Sequence, residues 1–362
     1  MAVTAQTGVF SFGAQVGKTT ISSTFYKHRA SDIDLATISD DRLGPPEVGG
    51  VPVPTIPYRA GVMASGGALI NPRLENTIGW LLHGALGAWS VTAGENALGT
   101  AVTNMSNHEF VFATDQGYVP YMTFQKEVPA EDDANDRLGE QFIDCKIVSV
   151  TLALPNDGLI TSRVDVLGRA SGTNFTVDPS WTYSNTQFED YQSIPIGSVT
   201  GGYLKVPGFS ATALPVTAAN VTLTNAPLDI RQEKNFGSPY LDEVTIVGRS
   251  MTVDLILKWK DSQLWNSIIT GATDGTQWVA TPWVEDFDVY TVSPTDTPTS
   301  NPASPYDLRI QAPSVMYQAV GGIRLAGNQA VMLRITGTAI ADATGYCAIN
   351  LGNEVTNYTW PT

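Results

Sequence analysis

The stretch from Phe142 to Leu167 constrains the fold more than any other part of the chain. Two runs rich in β-branched residues, Phe142 to Leu154 and Leu159 to Leu167, flank Pro155-Asn156-Asp157-Gly158. An Asp-Gly pair between alternating apolar runs is the strongest short-range hairpin signal. A hairpin this long leaves two strand edges open unless other strands cover them, so it commits the chain to a larger sheet. Near the C-terminal end, Val315 to Leu325 and Ala330 to Gly337 read as a second long hairpin. Its Gly327 lies ten residues before Gly337, as Gly158 lies ten before Gly168, and VDVLG and LRITG end the equivalent strands.

Each hairpin follows a helix and shorter strands in the same order. In the first half, Ile33 to Ile38 alternates, and Asn71 and Pro72 suit the cap and first turn of a helix. Leu74, Ile78, Leu81, Leu82 and Ala85 recur at helical spacing, with Gly84 or Gly87 to close it. Strands follow at Glu109 to Ala113 and Tyr121 to Val128. In the second half, strands are expected at Val216 to Thr224, Leu241 to Val247 and Met251 to Leu257. A helix capped by Asp261 comes next, with Leu264, Trp265, Ile268 and Ile269 as its apolar face and Gly271 as its stop. Strands return at Asp286 to Thr291 and Asp307 to Ile310.

This shared order points to an internal duplication. The predicted architecture is mainly β: two similar β-sandwich or partial-barrel domains, each with one flanking α-helix, plus long extended arms. Residues 1–70 form an N-terminal arm with a Pro/Gly-rich loop, and 71–175 the first domain, which borrows strands from the arm. Residues 176–200 form a linker, 201–355 the second domain and 356–362 a tail.

Composition narrows the function. Lys and Arg number 20 against 35 Asp and Glu, a formal charge of −15. Such a chain repels a phosphate backbone, which argues against sequence-independent nucleic-acid binding but not against letting nucleic acid slide past. Only 15% of residues are charged, while Gly numbers 33 and Pro 22, so long ion-paired surface helices are not expected. Cys145 and Cys347 stand in no metal-ligand spacing and are expected to be buried and inert, in a reducing compartment. The start lacks the pattern of a secretory signal, and no window reads as a membrane span.

Catalytic patterns are incomplete. Gly13-Ala14-Gln15-Val16-Gly17-Lys18-Thr19-Thr20 resembles a phosphate-binding loop but has three residues where four are required between the glycines. His28, His83 and His108 have no second ligand at a metal-site spacing. Asp286 and Asp288 would share a strand face, and Glu131, Asp132, Asp133, Asp136 and Glu140 form an acidic loop; both patterns are commoner in solvated chain than in sites. The expectation is no catalytic residue, no metal and no cofactor.

Several segments resemble the tail tube, or major tail, proteins of long-tailed, non-contractile bacteriophages. They are PRLENTIGWLLHGALG (Pro72 to Gly87), CKIVSVTLALPNDGLITSRVDVLGRAS (Cys145 to Ser171) and the stretch from Val221 to Trp265. YDLRIQAPSVMYQAV and AVMLRITGTAIADATGYCAINLGNEV near the end complete the likeness. The resemblance implies a structural virion protein of the phage tail, assembled in the host cytoplasm. Its copies form stacked rings around a channel through which DNA passes at genome ejection without specific binding. It also implies tape-measure and tail-end proteins as partners. A duplicated tube domain implies three chains per ring, a trimer with pseudo-hexameric symmetry, because a ring closes only when the rotation per unit divides the full turn. The arm from Pro45 to Gly67 is apolar and Pro-rich, so Pro45, Pro52, Pro54, Pro57, Tyr58 and Met63 are candidate interface residues with a neighbouring copy. Two alternatives stay open. One is a virion decoration or carbohydrate-binding module using Trp278, Trp283 and Tyr290; the other is a β-rich glycoside hydrolase using Asp286 and Asp288.

Overall fold

The computed structural model describes residues 8–45, 53, 56–114, 118–129, 137–155, 158–169, 175–177, 179–185, 188–190, 203–205, 216–230, 232–259, 262–272, 275–296, 299–323, 331–341, 343 and 345–361. In chain order the first half comprises β1 (Val9–Ala14), β2 (Tyr26–His28), β3 (Ala30–Ile33), β4 (Ala36–Leu43), β5 (Pro57–Ile70), α1 (Thr77–Leu86), β6 (Gly87–Glu95), β7 (Ala101–Phe112), β8 (Met122–Val128), β9 (Leu138–Pro155), β10 (Thr161–Arg169) and β11 (Phe175–Val177). The second comprises β12 (Tyr203–Lys205), β13 (Val216–Pro227), β14 (Ile246–Lys258), α2 (Gln263–Thr270), β15 (Val284–Asp296), β16 (Pro305–Ala319), β17 (Met332–Ala339) and β18 (Ala348–Asn353). The mainly β expectation holds.

One sheet runs through both halves. Its order is β4-β5-β10-β9-β13-β14-β17-β16, and every pair in it is antiparallel. Alternation explains its two faces. Val150, Leu152 and Leu154 of β9, Val221 and Leu223 of β13, and Met251, Val253, Leu255 and Leu257 of β14 point into the core. The residues between them, among them Thr151, Thr222 and Thr252, lie half-buried on the opposite face. Each fully buried Leu or Val contributes about 1.5–3 kcal/mol, so this alternation fixes the register.

β9 and β16 are long enough to leave this sheet. The first part of β9 pairs with β8 and β11, and the first part of β16 with β15 and β18. Outer layers result, β2-β1-β8-β9-β11 over the first half and β12-β15-β16-β18-β7-β6 over the second. α1 packs on β9, β7 and β6, and α2 on β16. The pairings β1–β8, β4–β5, β5–β10, β8–β9, β9–β10 and β9–β11 have counterparts in β12–β15, β13–β14, β14–β17, β15–β16, β16–β17 and β16–β18. The hairpin β6–β7, inserted after α1, has no counterpart strand pair after α2 among the described residues.

Several element boundaries differ from the sequence reading. α1 begins at Thr77 rather than at Pro72, because its first free N–H is taken by a distant carboxylate: Thr77 N donates to Glu189 at 3.0 Å, and Asn76 makes no side-chain cap. Gly87 and Gly271 close the two helices with φ of 83° and 78°, a left-handed conformation that costs glycine little. Asp261 lies outside the described residues, and Ser262 stands at the N-cap of α2. The strand expected at Met251 to Leu257 is found as β14, which begins at Ile246, whereas 242–245 of the strand expected at Leu241 to Val247 are not strand and Leu241 makes only an isolated bridge with Lys234. Asp307 to Ile310 and the start of the last hairpin are one strand, β16, whose register shift near Pro313 accommodates a residue that cannot donate. Much of the expected Pro/Gly-rich excursion is strand β5, paired with β4 in an extended ribbon. Asn156, Asp157 and Gly327 lie outside the described residues.

Candidate assembly surface

Within the chain the two halves meet along a seam of four parts. The first is a ladder in which β9 pairs with β13 from Ser149↔Thr224 to Pro155↔Ala218, with the Thr151 and Thr222 hydroxyls 3.2 Å apart. The second is the connection between β13 and β14, which lies back over the first half. Val62 N donates to Pro239 O at 2.8 Å, Lys234 Nζ to Ala60 O at 3.1 Å and Tyr121 Oη to Glu243 at 2.8 Å, while Lys18 pairs with Asp242 at 3.1 Å. Leu241, Val244 and Ile246 pack there against Val119 and Leu167.

The third part is β7 from the first half, which pairs with β18 of the second. Asp307 anchors it: its carboxyl accepts from Ala97 N, in the turn between β6 and β7, at 3.1 Å and from the Tyr290 hydroxyl at 2.9 Å. Burial pushes this carboxyl up to about 7. The fourth part is the C-terminal tail. Fully buried Tyr358 packs edge-on against Trp80 of α1 and donates to Asn76 O at 2.9 Å, while Trp360 Nε1 donates to Gln15 O at 2.8 Å.

The ends of the shared sheet are its two outer strands. Among the described residues β4 has a ladder with β5 alone, and Ile38 and Leu43 on it are exposed. At the other end, Trp283 O accepts from Tyr317 N at 3.1 Å, so the start of β15 covers β16 up to that residue. Beyond it Gln318 and Val320 are exposed. β9 has the same arrangement, with β8 beside its first part and β13 beside its second.

The arm residues fall in different settings. Pro45 is exposed, and Pro57 and Tyr58 are exposed at the start of β5, at the free end of the ribbon. Met63 is half-buried against the cluster under the connection between β13 and β14. Pro52 and Pro54 lie outside the described residues. Leu43, Val53 and Ile56 give the ribbon's end an exposed apolar character that the sequence reading left unnamed.

The motifs that hinted at chemistry have structural partners. The lysine loop wraps a carboxylate of the protein itself: Asp144 Oδ1 accepts from Thr19 N at 2.7 Å and from Gln15 Nε2 at 3.0 Å. Burial pushes His28 down to about 3, His108 down to about 4, and His83 down as well. His83 and His108 donate to tail carbonyls of Tyr358 and Val355 at 2.7 and 2.9 Å. Asp288 is buried and held by Arg309 at 2.8 Å, whereas Asp286 is exposed. Trp283 and Tyr290 are buried and Trp278 is exposed, so the three form no shared aromatic platform. Cys145 and Cys347 are buried free thiols pushed up by burial, Cys347 to about 12. The acidic loop lies outside the described residues except Glu140, which pairs with Lys126 at 2.5 Å. Among the described residues no cluster of His, Cys, Asp or Glu could hold a metal ion, and no helix is long and apolar enough to cross a membrane.

The geometry defines a class: a mainly β protein whose two halves share one antiparallel sheet that ends in two outer strands. The chain belongs to the phage tail tube protein family, whose model matches residues 41–339, a span that takes in both helices and both long hairpins. It is thus a structural tail tube protein, a virion component that self-assembles into a tube. No curated protein matches the chain.

Proposed function

We propose that the chain carries two tube domains and that three copies close into one ring when the segment that follows β16 pairs with β4 of the next copy. One observation carries this reading. β9 and β16 occupy equivalent places, as do β13 and β4, and β9 pairs with β13 inside the chain. The same step between copies joins the second half of one to the first half of the next. Carrying over the internal register sets Val320 near Asp40 of the neighbour.

Three copies of an eight-strand sheet give about 24 strands; at about 4.8 Å per strand and a tilt of about 40° the backbone barrel is roughly 48 Å across, and about 38 Å remains after side chains. That bore admits a DNA duplex. The channel-facing side would be the face bearing Thr151, Asn220, Thr222, Thr252, Thr336 and Thr338, where Arg163 and Arg334 accompany Asp165 and Asp254. A hydroxyl-rich face with charges of both signs offers a duplex neither a basic track nor an apolar surface. Stacked rings would then form the conduit for genome ejection, filled by a tape-measure protein during assembly in the host cytoplasm. The ribbon end bearing Pro45, Pro57 and Tyr58 would contact a neighbouring copy.

Cryo-electron microscopy of assembled tubes tests the reading. Density with pseudo-six-fold appearance but only three-fold symmetry is expected. Strict six-fold symmetry with one chain per sector would overturn it.

A further inference from the structure

The geometry points to a second contact between copies, in which the loop bearing Trp278 and Val279 seats on the outer edge of β11 in the next copy. It rests on the head-to-tail ring proposed above but uses different residues from its strand seam. The template again lies inside the chain. The hairpin β6–β7 follows α1 and reaches the second half, where β7 pairs with β18 from Ser106↔Asn353 to Val111↔Ala348.

The corresponding position after α2 is the loop from Ala272 to Trp283. β18 and β11 also correspond, since each follows the second strand of a long hairpin and pairs with the first part of the preceding long strand. β18 has partners on both sides, β16 and β7. Among the described residues β11 has a ladder on β9 alone. The step that places β7 on β18 within the chain therefore carries the loop after α2 to β11 of the next copy.

Both surfaces have the apolar character this contact needs. Trp278 is 77% exposed and Val279 45%, while Phe175 and Val177 on β11 are 56% and 66% exposed. Exposed large apolar side chains that cluster at one place on a surface mark an interaction site. The loop is held in position, because Val279 N donates to Thr270 O at 2.9 Å at the end of α2. β11 is held by pairing from Phe175↔Glu140 to Val177↔Leu138. An aromatic anchor meeting an open strand edge is the kind of contact that dominates interface energetics.

Cross-linking tests this directly. Val177→Cys and Trp278→Cys are introduced together, assembled tubes are treated with a short bismaleimide, and the products are separated in denaturing detergent. Native Cys145 and Cys347 are buried and do not compete. The expected ladder appears only after assembly and stops at three chains. A ladder that stops at six also supports the contact while refuting the three-chain ring, so the two readings fail separately. A ladder without limit would place the loop between rings, and assembled tubes that yield only single chains would mean that the surfaces do not meet; either result overturns the proposal. A second variant covers the case in which the double variant does not assemble. Trp278→Ser should leave the melting temperature of the unassembled chain unchanged and raise the critical concentration for tube formation at least about tenfold. An unchanged critical concentration refutes the contact.

Discussion

Replacing Asp307 by Asn isolates the stitch that fastens the β6–β7 turn of the first half to β16 of the second. The carboxyl is fully buried and accepts from Ala97 N and from the Tyr290 hydroxyl. Burial raises its pKa from an ordinary 3.8 to about 7. Between these values the folded chain keeps a proton that the unfolded chain has lost, so this group's stabilisation is complete below about pH 4 and drains away as pH rises to about 7. At about 1.4 kcal/mol per pH unit, the span is worth about 4 kcal/mol at most. Asn keeps an acceptor oxygen for Ala97 but has no proton to lose.

The assay is urea unfolding of the unassembled chain in steps from pH 4 to pH 8. Glu189, pushed up to about 7 by burial, and the three buried histidines also bend the curve of each protein, Glu189 in the same direction as Asp307 and the histidines in the opposite one. They cancel in the difference between wild type and variant. That difference should shift in the variant's favour by up to about 4 kcal/mol across the window and level off above pH 7. Parallel curves would refute the reasoning, because they would mean that the carboxyl titrates alike in both states.

Two further substitutions probe other parts. Gly79→Ala on α1 puts a methyl into the ring of Tyr358, a buried side chain with no room to retreat, and should lower stability by about 2–4 kcal/mol in the same unfolding assay; a loss below about 0.5 kcal/mol would show that the tail does not press on the helix. Lys18→Ala removes a partly exposed pair with Asp242 and should cost less than about 1 kcal/mol. Isothermal titration should give no saturable ATP binding for either protein, and binding abolished by the substitution would restore the phosphate-loop reading of Gly13 to Thr20.

The long hairpins and the helix stop at Gly271 were legible in the sequence, because turn chemistry and helix caps are local; for the first helix the sequence offered Gly84 or Gly87, and Gly84 lies inside α1. The start of α1 was not legible, since its cap is Glu189, 112 residues further along the chain. β16 was read as two strands, and of a strand expected at Leu241 to Val247 only Ile246 and Val247 are strand, as the start of β14. Gly248 and Pro313 resemble breaks locally, yet both strands run on: β13 supplies the ladder beside Gly248, and β15 on one side with β18 and β17 on the other brackets Pro313. Asp307 looked like an ordinary strand residue; only its place under the β6–β7 turn makes it a buried anchor. Trp278, Trp283 and Tyr290 are close in sequence and part in space, because β15 enters the core and the loop before it does not. The apolar, Pro-rich character of the arm is local and legible, but the strand edges beside it depend on which strands pair, and pairing across the chain leaves no local mark.

The seam inside the chain and the proposed seam between chains differ in ways that bear on assembly. Inside the chain, a strand ladder, the grip of the β13–β14 connection on β5, the β7–β18 ladder with Asp307, and the aromatic tail on α1 all act together. Between chains the proposed counterparts are the segment beyond β16, the ribbon end and the Trp278 loop, with no inserted hairpin and no tail among the described residues. In the proposed three-chain ring, half the seams would thus be formed on folding and fixed by covalent connection. Each association step costs an estimated 4–15 kcal/mol of translational and rotational freedom, and a ring of three chains takes two such steps before closure where a ring of six single domains takes five. The weaker seams can then open and close until a ring completes, and only closure satisfies the last pair of edges. A subunit built as proposed would keep its fold while unassembled and commit when neighbours are present. Strengthening the second seam with a copy of the β6–β7 hairpin after α2 should therefore favour premature, irregular polymers over regular tubes.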